Sequence, residues 1–288
     1  MSRHSRTRPV VNQVVAITGG ARGIGKATAA EFARRGARVA IGDIDTELGR
    51  ASAAELGRGV VALALDVTER SSFEAFLEQV EDTVGPVDVL VNNAGIMPLS
   101  PLVSERDEIA RRQVDINVHG VILGTKLALE RMVPRGRGHV VNMASAAGKG
   151  GFPGGATYCA TKHAVVGLSE AARAELRGTG VDISVVMPAV VNTELGSGLP
   201  HSRGVKVVEP SDVAEAIIAA VERPRFEVYV PRSLGPLFKL MAALPRPGRE
   251  LIARVLKGDQ VLAHPDPAVR AAYERRAAGV EEGEPVAG

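Results

Sequence analysis

The feature that most constrains this chain is the order of elements near its beginning. The apolar run Val14 to Thr18 meets glycines at Gly19, Gly20, Gly23 and Gly25, then a helix-compatible stretch to Arg35, then a second apolar run from Ala37 to Gly42. Two short apolar strands joined through a helix lie parallel in a sheet covered on both faces. Further strand-like runs follow at Val60 to Leu65, Val87 to Val91, His139 to Met143, Ile183 to Met187 and Phe226 to Val230, with helical segments between them. This alternation predicts an α/β fold built on a doubly wound parallel sheet. Between Ser104 and Met132 a long helix is expected, with a local irregularity at Asn117 and Gly120, both poor helix-interior residues. Asp212 and Glu215 carry capping-box spacing before the helix that ends near Glu222.

The bulk numbers narrow the partners. With 288 residues, 45% hydrophobic content and a net charge of +2, the chain has material for one large domain and no basic block suited to nucleic acid. Cys159 is the only cysteine, which excludes an intrachain disulfide and a cysteine-based zinc site and fits a reducing, cytoplasmic setting. No metal is implied. His119, His139 and His163 show no i,i+4 pairing with carboxylates or with one another, and His201 is read as a solvated loop residue. No signal-like segment or membrane span is visible in the sequence.

The glycines lie where a doubly wound, Rossmann-like sheet presents a helix N-terminus to a pyrophosphate. Their spacing is G-x-x-x-G-x-G, not the general G-x-G-x-x-G. Asp43 closes the second strand, where a carboxylate can accept both hydroxyls of an adenosine ribose and repel a 2′-phosphate, by about 4 kcal/mol per unit charge at ~4 Å and an effective dielectric of ~20. NAD is therefore favoured. Arg22 argues for NADP as the alternative, since a guanidinium there can pair with a 2′-phosphate. Further along, Tyr158 and Lys162 are spaced to share one helix face, so an ammonium could lower a phenol's pKa and equip it for proton transfer. Taken alone, such a pair is more often a surface pair whose lysine snorkels. Here Ser145 follows the strand His139 to Met143, a position that exposes a hydroxyl at the carboxyl edge of the sheet.

From Val14 to Val230 these motifs, in content and order, resemble the short-chain dehydrogenase/reductase family in its branch with the short coenzyme domain. The resemblance implies that Gly19, Arg22, Gly23, Ile24 and Gly25 form the pyrophosphate turn and that Asp43 holds the ribose. It puts Asp66 and Val67 beside the adenine, and Asn93, Ala94 and Gly95 of Asn92-Asn-Ala-Gly95 at the cofactor cleft. Asn117, Ser145, Tyr158 and Lys162 correspond to the family's catalytic tetrad, with a backbone distortion at Asn117 that holds a relay water. Pro188, Val191 and Thr193 correspond to the segment that grips the nicotinamide carboxamide; Ala189 stands where the family has glycine.

The function so implied is hydride transfer between NAD and a secondary alcohol or ketone, with Tyr158 as acid and base. Two rivals are an NADPH-dependent carbonyl or 3-oxoacyl reductase and a non-catalytic dinucleotide-binding module. The resemblance also implies a homo-oligomer, dimer or tetramer, formed through Ser104–Met132 and Thr157–Arg177.

The expected organisation is a flexible basic N-terminus (1–12), a Rossmann-like catalytic domain (13–231), an amphipathic extension (232–262), and a polar helix with a flexible tail (263–288). Leu234, Leu237, Phe238, Met241 and Leu244, then Leu251, Ile252, Val255 and Leu256, predict two short amphipathic helices around Pro245-Arg-Pro247. Three roles are open to them: packing on the domain or a neighbouring subunit, covering the cleft so that Phe238 and Met241 meet an apolar substrate, and peripheral membrane contact through Lys239, Arg246, Arg249, Arg254 and Lys257.

Overall fold

The computed structural model describes residues 7–200, 207–256 and 258–279. Seven parallel strands form one sheet: β1 (Val14–Thr18), β2 (Arg38–Asp43), β3 (Val61–Ala64), β4 (Val89–Asn92), β5 (Gly138–Met143), β6 (Val181–Pro188) and β7 (Glu227–Val230). Their order is β3-β2-β1-β4-β5-β6-β7, so the winding direction reverses between β1 and β4 and opens a crevice at their carboxyl ends. All seven strands fall where the apolar runs predicted them.

The side chains of β1 show why it reads as a continuous apolar run. Val15 and Ile17 pack in one layer with α1 (Gly23–Arg34), α2 (Thr46–Leu56) and α7 (Pro210–Glu222). Val14 and Ala16 pack in the other layer with α3 (Arg70–Thr83), α5 (Gly120–Met132) and α6 (Ala156–Glu175). The predicted irregularity between Ser104 and Met132 is a π-helical turn, Asp115–His119, between α4 (Asp107–Val114) and α5.

Two expectations need correction. The capping box of α7 is Glu209 with Asp212, not Asp212 with Glu215, because Pro210 starts the helix at a position where its missing N–H costs nothing. Within the arm expected to be flexible, Val10 is buried, the Arg8 amide donates to the Glu222 carbonyl, and the Arg8 side chain pairs with Asp182 at 2.6 Å; 1–6 lie outside the described residues. The polar helix expected near the end of the chain is α10 (Pro267–Ala278), which buries Arg270 and Ala277 against the body. The acidic tail from Val280 lies outside the described residues. The extension forms α8 (Leu234–Ala243) and α9 (Arg246–Val255); Lys257 lies outside the described residues.

His139 illustrates the cost of a polar group inside this sheet. Its Nε2 lies 2.8 Å from Ser184 Oγ, which itself donates to the Arg225 carbonyl, so Nε2 carries the hydrogen. Nδ1 has no partner among the described residues. Burial, with a smaller contribution from Arg8, pulls the imidazole pKa down to about 3. The neutral ring is thus the folded form. Stability linked to it is complete above the unfolded pKa of ~6.5 and is lost as pH falls toward 3, reaching roughly 2 kcal/mol at pH 5. Urea melts at pH 7 and pH 5 should show this loss in the wild type and a smaller one in His139→Gln. Equal losses would clear His139 of the effect.

Candidate active site

The turn after β1 enters α1 with Arg22 as its N-cap, and the first amides of the helix face a cavity of about 1260 Å³. Gly19, Arg22, Gly23, Ile24, Asp43, Asp66, Val67, Asn93, Ala94, Gly95, Ser145, Tyr158, Lys162, Pro188, Val191 and Thr193 all line this cavity. Gly25 and Asn117 do not line it and act from behind. Gly25 is buried, and a Cβ there would meet the Gly19 carbonyl oxygen at 2.1 Å. Gly19 has φ +63°, and a Cβ on it would meet Ala94 Cα at 2.9 Å. The turn is thus a cradle that only glycine fills, closed from above by Asn93, whose Nδ2 donates to the carbonyls of Thr18 (2.9 Å) and Gly19 (3.0 Å). Thr18 Oγ1 accepts from the amides of Asn93 and Ala94, both at 2.9 Å. Thr18 was not singled out in the sequence, because a strand-end threonine carries no local sign of a partner in β4.

Beside the same turn, Asp43 accepts from the Ala21 amide (3.0 Å) and the Asp45 amide (3.1 Å), one on each oxygen. Each oxygen keeps a second acceptor position. Arg22 is paired at the rim of the cleft: Nη2 bonds Asp45 at 2.6 Å and Nη1 lies 3.5 Å from Glu194, which also takes Arg276 at 2.7 Å. Asp66 Oδ1 accepts from the amide and hydroxyl of Thr68, which shapes the turn after β3. Ala189 donates to the Val230 carbonyl at 2.8 Å and has no positive φ, so the glycine usual in this position is not required. Thr193 lies against the glycine turn, its side chain 3.4 Å from where a Cβ on Gly23 would sit.

Ser145, Tyr158 and Lys162 come together at the edge of β5 and the start of α6. Tyr158 is buried, with Lys162 Nζ 5.6 Å from its ring centroid. Lys162 Nζ donates to the Met143 carbonyl at 3.0 Å. Burial pushes the phenol pKa up to about 12, and the hydrogen-bonded Ser145 hydroxyl offsets part of the rise. Burial also pulls Lys162 down to about 8. Burial thus acts on both groups, and on the phenol it opposes the lowering expected from a neighbouring ammonium. Asn117 sits in the π-helical turn with both amide atoms used, Oδ1 accepting from Ile96 N and Nδ2 donating to Ile96 O, each at 2.8 Å. Its side chain holds the wide turn against the loop after Gly95.

Two further observations bear on the histidine and cysteine readings. His119 does have a carboxylate neighbour four residues away, Asp115 at 3.3 Å, contrary to the expectation from the sequence; both side chains are exposed. Cys159 is buried beside Phe152, with burial raising its thiol pKa, as expected of a packing residue. His201 lies outside the described residues.

Residues 13–203 match the short chain dehydrogenase family model. The chain belongs to that family. It is 42% identical over 184 residues to sorbitol dehydrogenase of Cereibacter sphaeroides, which covers 64% of this chain and 72% of that protein. It is 31% identical over 267 residues to 17-beta-hydroxysteroid dehydrogenase 13 of Homo sapiens, covering 90% of this chain and 89% of that protein. A short-chain dehydrogenase/reductase from Burkholderia phymatum, solved in complex with NAD, superposes with a TM-score of 0.75 at 25% identity, covering 82% of this chain and 94% of that one. As a short-chain dehydrogenase, the protein is an NAD(P)-dependent oxidoreductase that acts on CH–OH groups of small molecules.

Proposed function

We propose that this short-chain dehydrogenase uses NAD to interconvert a bulky, largely apolar secondary alcohol and its ketone. The observation that carries the substrate class is the cavity wall beyond β7: Leu234, Leu237, Phe238 and Met241 of α8, with Val261 and Leu262, line the same cavity as Tyr158. Likeness to the hydroxysteroid dehydrogenase extends over 90% of the chain, whereas likeness to the sorbitol enzyme stops at 64%. A turnover panel with NAD tests this reading: a hydroxysteroid-sized alcohol should exceed sorbitol in kcat/KM by at least about tenfold, since each buried methylene adds roughly 0.8 kcal/mol. The opposite order would sink it. Phe238→Ala and Met241→Ser should each raise KM for the large alcohol several-fold while leaving a small one within about twofold.

The donor set fits the cofactor: a glycine cradle at a helix N-terminus suits a pyrophosphate, and Asp43 suits a ribose diol. Bound there, the nicotinamide supplies a two-electron acceptor for oxidation and a donor for reduction. Ser145 donates a hydrogen bond to the substrate oxygen, and Tyr158 takes the alcohol proton in oxidation and returns it in reduction. Burial favours the protonated phenol, the form that delivers the proton in reduction, whereas oxidation needs the phenolate, which a neighbouring Lys162 ammonium favours. Lys162, anchored on Met143, carries positive charge to this end of the cleft, and Asn117 holds the π-helical turn for the relay water.

Arg22 supports NAD over NADP, because Asp45 and Glu194 already take its guanidinium. Asp43→Ala should narrow the NAD-over-NADP preference, read as the ratio of the two dissociation constants, by about tenfold or more with the fold intact. An unchanged ratio would remove Asp43 from its role.

Three further readings belong to this proposal. Leu102 and Val103, exposed just before α4, support a homo-oligomer, for which solution mass is the test. The outer face of α8–α9, with Leu240, Leu251 and Val255 exposed among Lys239, Arg246 and Arg254, supports contact with an anionic lipid surface, read by vesicle co-sedimentation. Among the described residues no helix is long and apolar enough to cross a membrane. A lone, buried cysteine supports the cytoplasm, which fractionation would test.

A further inference from the structure

The sequence holds three tyrosines, and all three line one cavity. Tyr158 has its place in the reaction, and Tyr229 stacks on Phe238 with ring centroids 6.1 Å apart. Tyr273 comes from α10, outside the residues that match the family. Its hydroxyl oxygen accepts the Met97 amide at 2.7 Å. That accepting role leaves the phenol hydrogen to donate toward the cavity.

One turn earlier on α10, Arg270 is 1% exposed. Its Nη1 donates to the carbonyls of Leu195 (2.9 Å) and Ser197 (3.0 Å), its Nη2 to the Met97 carbonyl (2.9 Å), and its Nε to Glu274 (2.9 Å). The guanidinium also lies 4.9 Å from the Tyr273 ring centroid. A buried cation is costly unless its donors are met, and these four bonds meet four of its five N–H groups, one of them with a carboxylate partner. Arg270 thereby joins three segments: the loop after Asn92–Gly95, the loop after Thr193, and α10 itself. Tyr273 and Tyr158 stand within electrostatic reach of each other in this corner.

We propose that Tyr273 is a specificity-determining residue that donates a hydrogen bond to a second oxygen of the substrate, and that Arg270 is a positioning residue that holds Tyr273 and the two flanking loops in register. The reacting oxygen has Ser145 and Tyr158 for partners, so Tyr273 serves a different one. This rests on the apolar-alcohol reading and narrows it to alcohols that carry a further hydroxyl or carbonyl. A wholly apolar ligand would strand a phenol donor in a dry wall, the situation in which a protein discriminates most strongly against the analogue lacking the group.

The test uses the full chain, NAD and two hydroxysteroids identical except that one lacks the second oxygen. The wild type should favour the oxygenated alcohol in kcat/KM by about tenfold or more. Tyr273→Phe should abolish most of that preference through KM, with kcat within about threefold and the NAD dissociation constant unchanged. Arg270→Lys, which keeps the charge but not the planar fork, should move the same ratio in the same direction. A purely structural role would lower activity on both alcohols alike and leave the ratio where it was. An unchanged ratio in Tyr273→Phe overturns the proposal while the apolar reading stands. Wild-type turnover confined to small polyols overturns both, and the polyol activity identifies that cause.

Discussion

Replacing Tyr158 by Phe should lower kcat by at least about 10³-fold while the NAD dissociation constant stays within about twofold. The ring keeps its packing in the buried corner formed with Met97, Ala147 and Cys159, and only the oxygen beside Ser145 is lost. Because the same phenol oxygen delivers the proton in reduction and takes it in oxidation, the variant removes the acid and the base of the two reaction directions together. Stopped-flow reduction of a ketone and steady-state oxidation of the alcohol should therefore fall in parallel. Retention of more than a few per cent in either direction would assign proton transfer to another group. Thermal melting should change little, because a phenol-to-phenyl swap removes no volume from the core.

The second large effect is expected from adding one methyl group at Gly25. Alanine there would put its Cβ 2.1 Å from the Gly19 carbonyl oxygen and 2.7 Å from Asn93 Nδ2. Neither neighbour is free to retreat, because the Asn93 amide group is bonded to Thr18 and Gly19 and fixes the same turn. The turn must open, which costs about 1–3 kcal/mol in stability as ordinary overpacking does. It also moves the helix-end amides away from the phosphates, so NAD affinity should drop roughly 100-fold by isothermal titration. Gly57→Ala makes a useful contrast. Its Cβ would meet nothing within 4 Å, and its φ of +60° should cost some stability without touching NAD affinity. Equal loss of NAD affinity in both variants would mean that general destabilisation, and not the cradle, accounts for the Gly25 effect.

The parts of this protein that could be read from the sequence are those whose cause is local. Val14 to Thr18 are buried from both sides, so the four residues Val14 to Ile17 are all apolar, and the run is unmistakable without any knowledge of what covers it. Tyr158 and Lys162 share a helix face by spacing alone, and Asn117 marks the π-helical turn by being a poor helix former. The parts that stayed hidden depend on contacts across the chain. Thr18 draws its meaning from Asn93 and Ala94, and Arg270 from Met97 and Leu195, partners that no window of neighbouring residues contains. Arg270, Tyr273 and Ala277 do recur at the spacing of a buried helix face, yet an arginine and a tyrosine in those places read as solvent-facing. The capping box of the helix before β7 was misplaced for a smaller reason: Asp212 and Glu215 fit the usual pattern, but the fixed φ and missing amide of Pro210 suit the first helical position, which makes Glu209 the cap.

The Arg22 arrangement also has a bearing on redesign. A plan to convert this enzyme to NADP by removing the Asp43 carboxylate alone would lift a repulsion without providing a counterion, because the Arg22 guanidinium is already shared between Asp45 and Glu194. Releasing it means changing Asp45, which also caps α2 through the Leu48 amide, so the gain in phosphate binding is offset by a weakened helix start. Changing Glu194 instead would spare that cap, although it would cut the tie to Arg276 and loosen α10. The least disruptive route therefore leaves Arg22 where it is and imports a new cation at Ile44, which is 67% exposed at the rim of the adenosine end and has no partner to lose.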